Sequence, residues 1–284
     1  DMLTVKTDAV RIIPEKIRST DFEGHGFFEG SSIRKINNTY YFIYSSQLNH
    51  ELCYATSKYP DRDFKYGGTI VSAGDVGLNG RKEKDSLNTV GTTHGSIECI
   101  NGKWYVFYHR LTHGSDYSRQ ACAEPIEIKA DGSIEQAEIS SCGLNSKPLI
   151  AKGKYPSVIA CHITNEKMHR VSNKQCKKPI PMVTHKNGER YIANIDSKTT
   201  ITYKWFDFEN QNSTLELDLD SNAEGKIQVF VNGKTIARKR INPFGRKVIA
   251  LNYQVESKNK QELSIRFFGK GKFDLYSLNF KEKL

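Results

Sequence analysis

The sequence has 284 residues, of which 37% are hydrophobic and 26% are charged, and its formal net charge is +10 at pH 7. This length allows two domains with ordinary cores, because single cores rarely grow past roughly 250 residues. No apolar run approaches the roughly 20 residues that cross a bilayer, which excludes a membrane-spanning helix. The basic residues, with local excess at 174–178 and 238–246, accompany no nucleic-acid-binding motif, so we interpret them as a positive surface and expect no nucleic-acid partner.

The chain begins at Asp1 without a methionine, which predicts that an N-terminal part has been removed. Leu3 to Val5 is a possible strand. Short β-prone runs separated by turn residues then follow, and they predict seven strands without a helix. These are Ile33–Ile36, Tyr40–Ser45, Glu51–Thr56, Gly68–Ser72, Ser96–Ile100, Trp104–His109 and Pro125–Ile128.

An internal repeat connects two of these strand pairs. Ser32-Ile33, Tyr41 and Tyr44 recur as Ser96-Ile97, Tyr105 and Tyr108, at a constant spacing of 64 residues. The repeat predicts two blades of a β-propeller, in which the first strand of each blade lines the central axis. The alternative is two unrelated hairpins in a sandwich. On the propeller alignment, His94 falls opposite Gly30.

Glu29 stands just before the first of these hairpins, between Phe28 and Gly30. Apolar surroundings disfavour the charged form of a carboxylic acid, and a protonated carboxylic acid can serve as a general acid in catalysis. The alternative interpretation is an ordinary solvated glutamate beside a strand.

A second domain is predicted after a connector at residues 151–190, which contains Pro156, Pro179 and Pro181 and has little periodicity. We place the division after residue 165, giving domains 1–165 and 166–284. Alternating runs then predict about eight strands, with a hairpin turn at Asn232-Gly233, and hence a β-sandwich of the jelly-roll type. The clearest runs are Thr200–Phe206, Ser213–Asp220, Lys226–Val231, Lys247–Asn252, Glu262–Phe268 and Asp274–Phe280.

Several of these motifs, in this order, resemble the later blades of glycoside hydrolase family 43, the β-xylosidases and α-L-arabinofuranosidases. The resemblance covers about residues 1–165. It rests on the segments 28–35, 40–45, 94–97, 104–110, 118–126 and 141–144. It implies a five-bladed propeller that hydrolyses xylosides or arabinosides with inversion. The segments 203–208 and 271–280 resemble carbohydrate-binding module family 6, in which Tyr203 and Trp205 would either stack on a sugar or belong to the core.

The family resemblance also implies roles for individual residues. Glu29 matches the general acid, and Arg119 matches an arginine that reaches the sugar, with Phe28 a further candidate for substrate contact. His94 matches a histidine near the axis, often beside a central metal ion, so a calcium ion is the expected cofactor.

One departure from the family pattern is large: the general base and the aspartate that tunes the acid belong to the first two blades, which are absent here. Asp8, Asp21 and Asp75 are candidates to replace the base. We therefore expect a C-terminal fragment of the propeller, or a second chain that supplies the missing blades. A non-catalytic carbohydrate-binding protein and a nucleic-acid binder are the alternatives. The substrate class, a xylan-type plant cell-wall polysaccharide, implies secretion or a periplasmic location.

Overall fold

The computed structural model describes residues 3–166, 180–209, 212–256 and 258–282. Nineteen strands and four short 3-10 helices form these parts of the chain, and no α-helix occurs among the described residues. None of the described helices is long and apolar enough to cross a membrane. The all-β fold class predicted from the sequence is confirmed.

The first sheet is a four-stranded antiparallel meander, as expected of a propeller blade. Its strands, in spatial order, are β1 (Phe27–Ile36), β2 (Thr39–Ser46), β3 (Glu51–Ser57) and β4 (Lys65–Ser72). β2 and β3 are almost entirely buried because the sheet is covered on both faces. One face packs toward the second sheet through Tyr41, Ile43 and Tyr54, and the other is covered by residues 12–22. The possible strand at Leu3 to Val5 is not formed, so that prediction was wrong.

The second sheet has three antiparallel strands: β5 (Ser96–Ile100), β6 (Lys103–Thr112) and β7 (Ser115–Ile126). Three 3-10 turns connect it to the first sheet: η1 (Ala73–Asp75), η2 (Leu78–Gly80) and η3 (Glu83–Asp85). A fourth, η4 (Ser157–Ile159), follows the second sheet. Ile97, Val106 and Tyr108 of the second sheet share one core with Tyr41 and Ile43 of the first, so the two sheets pack face to face as neighbouring blades do.

The C-terminal part is a sandwich of two sheets, each with six strands. One sheet has the order β10-β13-β18-β15-β16, with β8 beside β13, and the other has the order β11-β12-β19-β14-β17, with β9 beside β19. The strands are β8 (Leu149–Ile150), β9 (Gly153–Pro156), β10 (His162–Thr164), β11 (Met182–Lys186), β12 (Glu189–Ile195), β13 (Thr200–Asp207), β14 (Asn212–Ser221), β15 (Glu224–Val231), β16 (Lys234–Ile241), β17 (Phe244–Gln254), β18 (Gln261–Lys270) and β19 (Phe273–Glu282).

The sandwich core follows from alternation along these strands. Leu215, Leu217 and Leu219 of β14 point inward and are fully buried, while the residues between them face outward. Ile227 and Val229 of β15 do the same from the opposite sheet. Asn232 and Gly233 both have positive φ, as the predicted tight hairpin turn requires.

The division after residue 165 stays a prediction. The strand pairing favours an earlier boundary, because β8, β9 and β10 all lie before it and pair with β13 or β19 of the sandwich. The connector predicted at 151–190 therefore contains strands, and its Lys174 to Lys178 run and Pro179 lie outside the described residues.

Candidate active site

Glu29 lies on β1, at the edge of the first sheet, where two irregularities interrupt the pairing with β2. The register shifts between Phe27 and Glu29 and again between Glu29 and Ser32, so that Glu29 stands opposite Ser45 between two bulges. Bulges twist a strand and re-aim side chains, and they are frequent beside active sites. Glu29 is partly buried rather than fully solvated, so it remains accessible to a ligand.

Gly30 brings the second blade against Glu29. Its φ is +67°, and a Cβ atom at this position would lie 2.5 Å from the Cβ of His94. Any side chain here would collide with His94, so only glycine permits the contact. The predicted alignment of His94 with Gly30 therefore corresponds to physical contact between the two blades.

The repeat also appears as a direct hydrogen bond between equivalent residues. Ser32 Oγ donates to Ser96 Oγ at 2.8 Å, across the same spacing of 64 residues that relates the two hairpins. Equivalent strand starts thus converge, as they do at a propeller axis.

His94 and Arg119 belong to one cluster of polar residues at this end of the second sheet. The backbone N–H of His94 donates to Nε2 of His109 at 3.3 Å, and the two rings meet edge to face at 4.9 Å. Arg119 is exposed, and its guanidinium donates to the carbonyl oxygen of Asp116 at 3.2 Å and to Oγ1 of Thr92 at 3.3 Å. The structure therefore brings Glu29, His94 and Arg119 to one end of the paired blades.

His109 has a depressed pKa in this cluster. Burial, with repulsion from Arg119 and His94, lowers the pKa of His109 to about 4. The neutral ring leaves Nε2 free to accept the hydrogen bond from the His94 backbone. Nδ1 of both His94 and His109 is buried and has no hydrogen-bond partner among the described residues. Such atoms are suited to bind a water, an ion or a substrate group.

Arg119→Ala is expected to raise the pKa of His109 from about 4 toward its ordinary value, because the positive charge of Arg119 is removed. The rise should be partial, because burial continues to lower the pKa of His109. Since the folded-state pKa is depressed, His109 costs stability as the pH falls from about 6.5 to about 4, and the variant should lose less stability in that window. An NMR titration of the histidine side chains measures the change. Arg34→Ala serves as the control. An unchanged His109 titration in Arg119→Ala would show that the charge of Arg119 does not lower the pKa of His109.

The aromatic candidates fall into different environments. Phe28 is 49% exposed at the bulge beside Glu29, where it is accessible to a ligand. Tyr203 is fully buried in the sandwich core and its hydroxyl donates to the carbonyl oxygen of Ser157, so stacking on a sugar is ruled out. Trp205 is partly buried, with the ammonium groups of Lys204 and Lys260 5.4 and 5.1 Å from its ring centroid.

The three aspartates suggested as replacements for the base differ in burial and in hydrogen bonding. Asp75 is 3% exposed, lies 2.9 Å from Nε2 of His162 and accepts the N–H of Ile139, so it is committed to a buried pair. Asp21 is exposed and accepts the N–H of Tyr66, and Asp8 is exposed in the N-terminal segment. Asp75 is therefore unsuited to act as the base opposite Glu29, because both of its oxygens are already engaged.

An ion pair between the half-buried His25 and the buried Glu51 holds the chain just before β1, and it was not predicted from the sequence. Glu51 is 4% exposed and accepts hydrogen bonds from Nδ1 of His25 at 2.6 Å, Oγ of Ser46 at 2.6 Å and Oγ1 of Thr69 at 2.9 Å. The carbonyl oxygen of His25 in turn accepts the hydroxyl of Tyr44 at 2.7 Å. The chain is thus held four residues before Glu29, and Ser46 is adjacent to Ser45, the strand partner of Glu29.

The charges of this pair are mutually stabilised. Burial opposes ionisation of Glu51, but the hydrogen bonds from His25, Ser46 and Thr69 and the positive charge of His25 outweigh it and lower the pKa of Glu51 to about 2. The hydrogen bond to Glu51 raises the pKa of His25 against a smaller opposing effect of burial. Both groups are charged in the mildly acidic range.

Two groups of residues offer candidate ligands for a metal ion. His25, Glu51 and Cys53 have ligand atoms within 4.8 Å of one another, but both Glu51 oxygens are already occupied by hydrogen bonds. His94, the predicted ligand, belongs to no group of three acidic, cysteine or histidine ligands within the described part of the chain. Calcium takes six to eight oxygen ligands, so these residues do not fit a calcium cage built from protein atoms. The unpartnered Nδ1 of His94 fits a single contact to a hydrated ion or a water.

The sequence signal for His109 was the repeat itself. The spacing that carries Ser32 to Ser96 also carries Ser45, the partner of Glu29, to His109. For His25 and Glu51 there was no comparable signal, because their contact depends on where the segment before β1 folds back against β3.

No protein-family model matches the sequence. A xylosidase/arabinosidase of Thermoclostridium stercorarium is 46% identical over 218 residues, which are 73% of this chain and 46% of that protein. The chain therefore spans about half the length of this relative. Among solved structures, a family 43 arabinoxylan arabinofuranohydrolase from Bacillus subtilis, in complex with cellotetraose, aligns at a TM-score of 0.47 with 18% identity, covering 90% of this chain and 54% of that one.

The C-terminal part has its own counterpart. The family 6 carbohydrate-binding module CsCBM6-3 from Clostridium stercorarium, in complex with cellobiose, aligns at a TM-score of 0.38 with 12% identity, covering 49% of this chain and 99% of the module.

Two packed antiparallel blades followed by a β-sandwich define a modular all-β protein. The chain is a homologue of this xylosidase/arabinosidase, which confirms the resemblance in the sequence.

Proposed function

We propose that this chain is the acid-bearing part of an inverting glycosidase that removes xylose or arabinose from xylan-type plant polysaccharides. The observation that carries the proposal is the position of Glu29: a partly exposed carboxyl group between two bulges, at the blade edge where Gly30 contacts His94. The 46% identity to a xylosidase/arabinosidase supports the substrate class.

In the proposed reaction, Glu29 donates its proton to the glycosidic oxygen as the bond from that oxygen to the anomeric carbon breaks. A carboxylate roughly 6.5 to 9.5 Å away removes a proton from water, whose oxygen bonds to the anomeric carbon from the opposite face. The products are a free sugar of inverted configuration and the shortened chain, and the two carboxyl groups exchange one proton through solvent. Because the oxygens of Asp75 are engaged with His162 and Ile139, we propose that the base comes from elsewhere in the propeller.

The remaining site residues bind and orient the sugar in this proposal. Arg119 supplies fixed positive charge and hydrogen-bond donors toward the ring hydroxyls. His94 would hold a water or a hydrated ion through Nδ1, and the exposed ring of Phe28 offers an apolar surface beside Glu29. No step of the reaction passes through the ion.

The missing base has a consequence for assembly. In our proposal, the domain 1–165 with its two blades is part of a larger propeller. The other blades lie elsewhere in the protein or in a second chain. Its substrate, an insoluble or oligomeric cell-wall polysaccharide, places the protein outside the cytoplasm, secreted or periplasmic.

The 284-residue chain alone is expected to release little or no sugar from aryl β-xylosides and aryl α-arabinofuranosides, and the full-length gene product is expected to hydrolyse at least one of them. The reason is that inverting hydrolysis needs both carboxyl groups. Chromatography of the released sugar measures the activity. Binding of xylan without hydrolysis by the full-length protein would instead support a carbohydrate-binding protein.

A further inference from the structure

One face of the sandwich carries a group of cations that neither hydrolysis nor folding explains. On β15, Ile227 and Val229 point into the core, so Lys226 and Gln228 point to the outer face of that sheet. The strand register places Arg240 directly opposite Lys226, and Arg238 directly opposite Gln228.

The next strand extends the same two rows. On β18, Arg266 stands opposite Gln228, and Phe268 stands opposite Lys226. One row therefore runs Arg238, Gln228, Arg266, and the neighbouring row runs Arg240, Lys226, Phe268. We call the four cations of these rows, Lys226, Arg238, Arg240 and Arg266, the cationic face.

The cationic face is accessible. Arg238, Arg240 and Arg266 are exposed, and Phe268 is 40% exposed beneath the guanidinium of Arg266, 5.2 Å from its ring centroid. Among the described residues, none of the four cations forms an ion pair with a carboxylate. The nearest acidic position in the register is Glu224, which lies two residues before Lys226 on β15 and is opposite Lys270, in the row next to that of Lys226 and Arg240.

This arrangement opposes folding. Side chains directly opposite each other in antiparallel strands have Cβ atoms about 4.5 to 5.5 Å apart, and like charges in such positions destabilise the sheet. Lys226 and Arg240 form one such pair. Local arrangements that cost stability without a structural gain are expected where a protein binds something.

We propose that the cationic face binds polysaccharide chains that carry uronic-acid carboxylates. Arginine side chains match a carboxylate in two parallel hydrogen bonds, and the ligand would neutralise the repulsion between Lys226 and Arg240. Gln228 lies between two arginines in its row, and Thr200 continues that row on β13, so uncharged hydrogen-bonding groups for sugar hydroxyls alternate with the cations.

A nucleic acid fits this face less well. Proteins that bind single strands stack successive bases on several aromatic residues, whereas these rows contain Phe268 alone. A duplex is normally read by a helix or ribbon that enters a groove, and here the cations lie on the flat outer surface of a sheet.

The experiment compares binding of the 284-residue chain to glucuronoxylan and to the same polymer after its carboxyl groups have been reduced to alcohols. Both polymers share the neutral backbone, so binding at Glu29 contributes equally to both affinities. The difference in affinity therefore reports the contribution of the carboxylates alone. Calorimetric titration at low ionic strength should show tighter binding to the carboxylated polymer, weakened by salt as charge attraction is screened. Equal affinity for both polymers overturns the proposal.

The test variant is Lys226→Gln/Arg240→Gln, with Lys82→Gln/Lys84→Gln as a control that removes the same charge from exposed positions in and beside η3. The test variant should bind glucuronoxylan at least about tenfold more weakly, since each lost charge-assisted hydrogen bond is worth about a factor of ten or more. The control and the charge-preserving variant Lys226→Arg/Arg240→Lys should retain binding. The denaturant midpoint of the test variant should equal or exceed that of the parent chain, because a like-charge pair is removed.

Three results would overturn the proposal. The control could lose binding as strongly as the test variant, which would make the effect one of net charge. The charge-preserving variant could fail to bind while remaining folded. A single-stranded DNA oligonucleotide could bind the same face as tightly as glucuronoxylan, which would assign the face to nucleic acid.

Discussion

Glu29→Gln in the full-length protein is expected to lower kcat on natural xylo-oligosaccharides by about 10² to 10⁴, the usual contribution of a general acid. The glutamine keeps the shape and hydrogen-bonding reach of the side chain and loses the proton. Because Glu29 lies at an irregular strand edge and is partly exposed, the fold and the sugar affinity should be nearly unchanged. Steady-state rates and a binding titration on the same preparation separate the two effects.

The leaving group makes this test specific. A poor leaving group such as a sugar hydroxyl needs its oxygen protonated as the bond breaks, whereas a dinitrophenolate departs without help. The loss should therefore be much larger on oligosaccharides than on dinitrophenyl glycosides. Glu98→Gln, an exposed glutamate on β5, is the matched control and should leave both rates unchanged. Equal losses on both substrates, or full activity of Glu29→Gln, would remove Glu29 from the role of acid.

The local features of the blades could be predicted because they repeat. The 64-residue spacing predicted that His94 would face Gly30, and the structure shows why the contact requires glycine: a Cβ atom would collide with the His94 side chain. Strand alternation likewise predicted most of the sandwich core, since burial on one face imposes a period of two on the sequence.

Features that depend on distant chain segments could not be predicted in this way. β16 was missed because Lys239 and its charged neighbours interrupt the apolar alternation at a sheet edge, where exposure tolerates charge. β8, β9 and β10 were missed because they are short and are strands only through pairing with β13 and β19, whose paired residues lie 36 or more positions later. The His25 and Glu51 pair is of the same kind, since neither residue stands out in its own sequence neighbourhood.

Glu51→Gln is expected to destabilise the fold by about 1.5 to 3 kcal/mol, the usual worth of a hydrogen bond to a charged group, because Glu51 is buried while His25 is only half-buried. The carboxylate is 4% exposed, and its loss leaves His25 without its counter-ion and the hydroxyls of Ser46 and Thr69 without a charged acceptor. Urea titration followed by tryptophan fluorescence measures the change. Glu98→Gln removes an exposed pair with Arg34 and should cost less than about 1 kcal/mol.

The pH dependence distinguishes an ion pair from a packing defect. The depressed pKa of Glu51, about 2, gives stabilisation that is complete above its unfolded value near 4.5 and lost as the pH falls toward 2. The raised pKa of His25 gives stabilisation that is complete below 6.5 and lost as the pH rises through the folded-state pKa. The gap in stability between the parent chain and Glu51→Gln should therefore be widest between about pH 4.5 and 6.5 and should narrow on the acid side. A gap that stays constant from pH 3 to pH 8 would mean that Glu51 acts through packing alone, and that no charged pair secures the segment before Glu29.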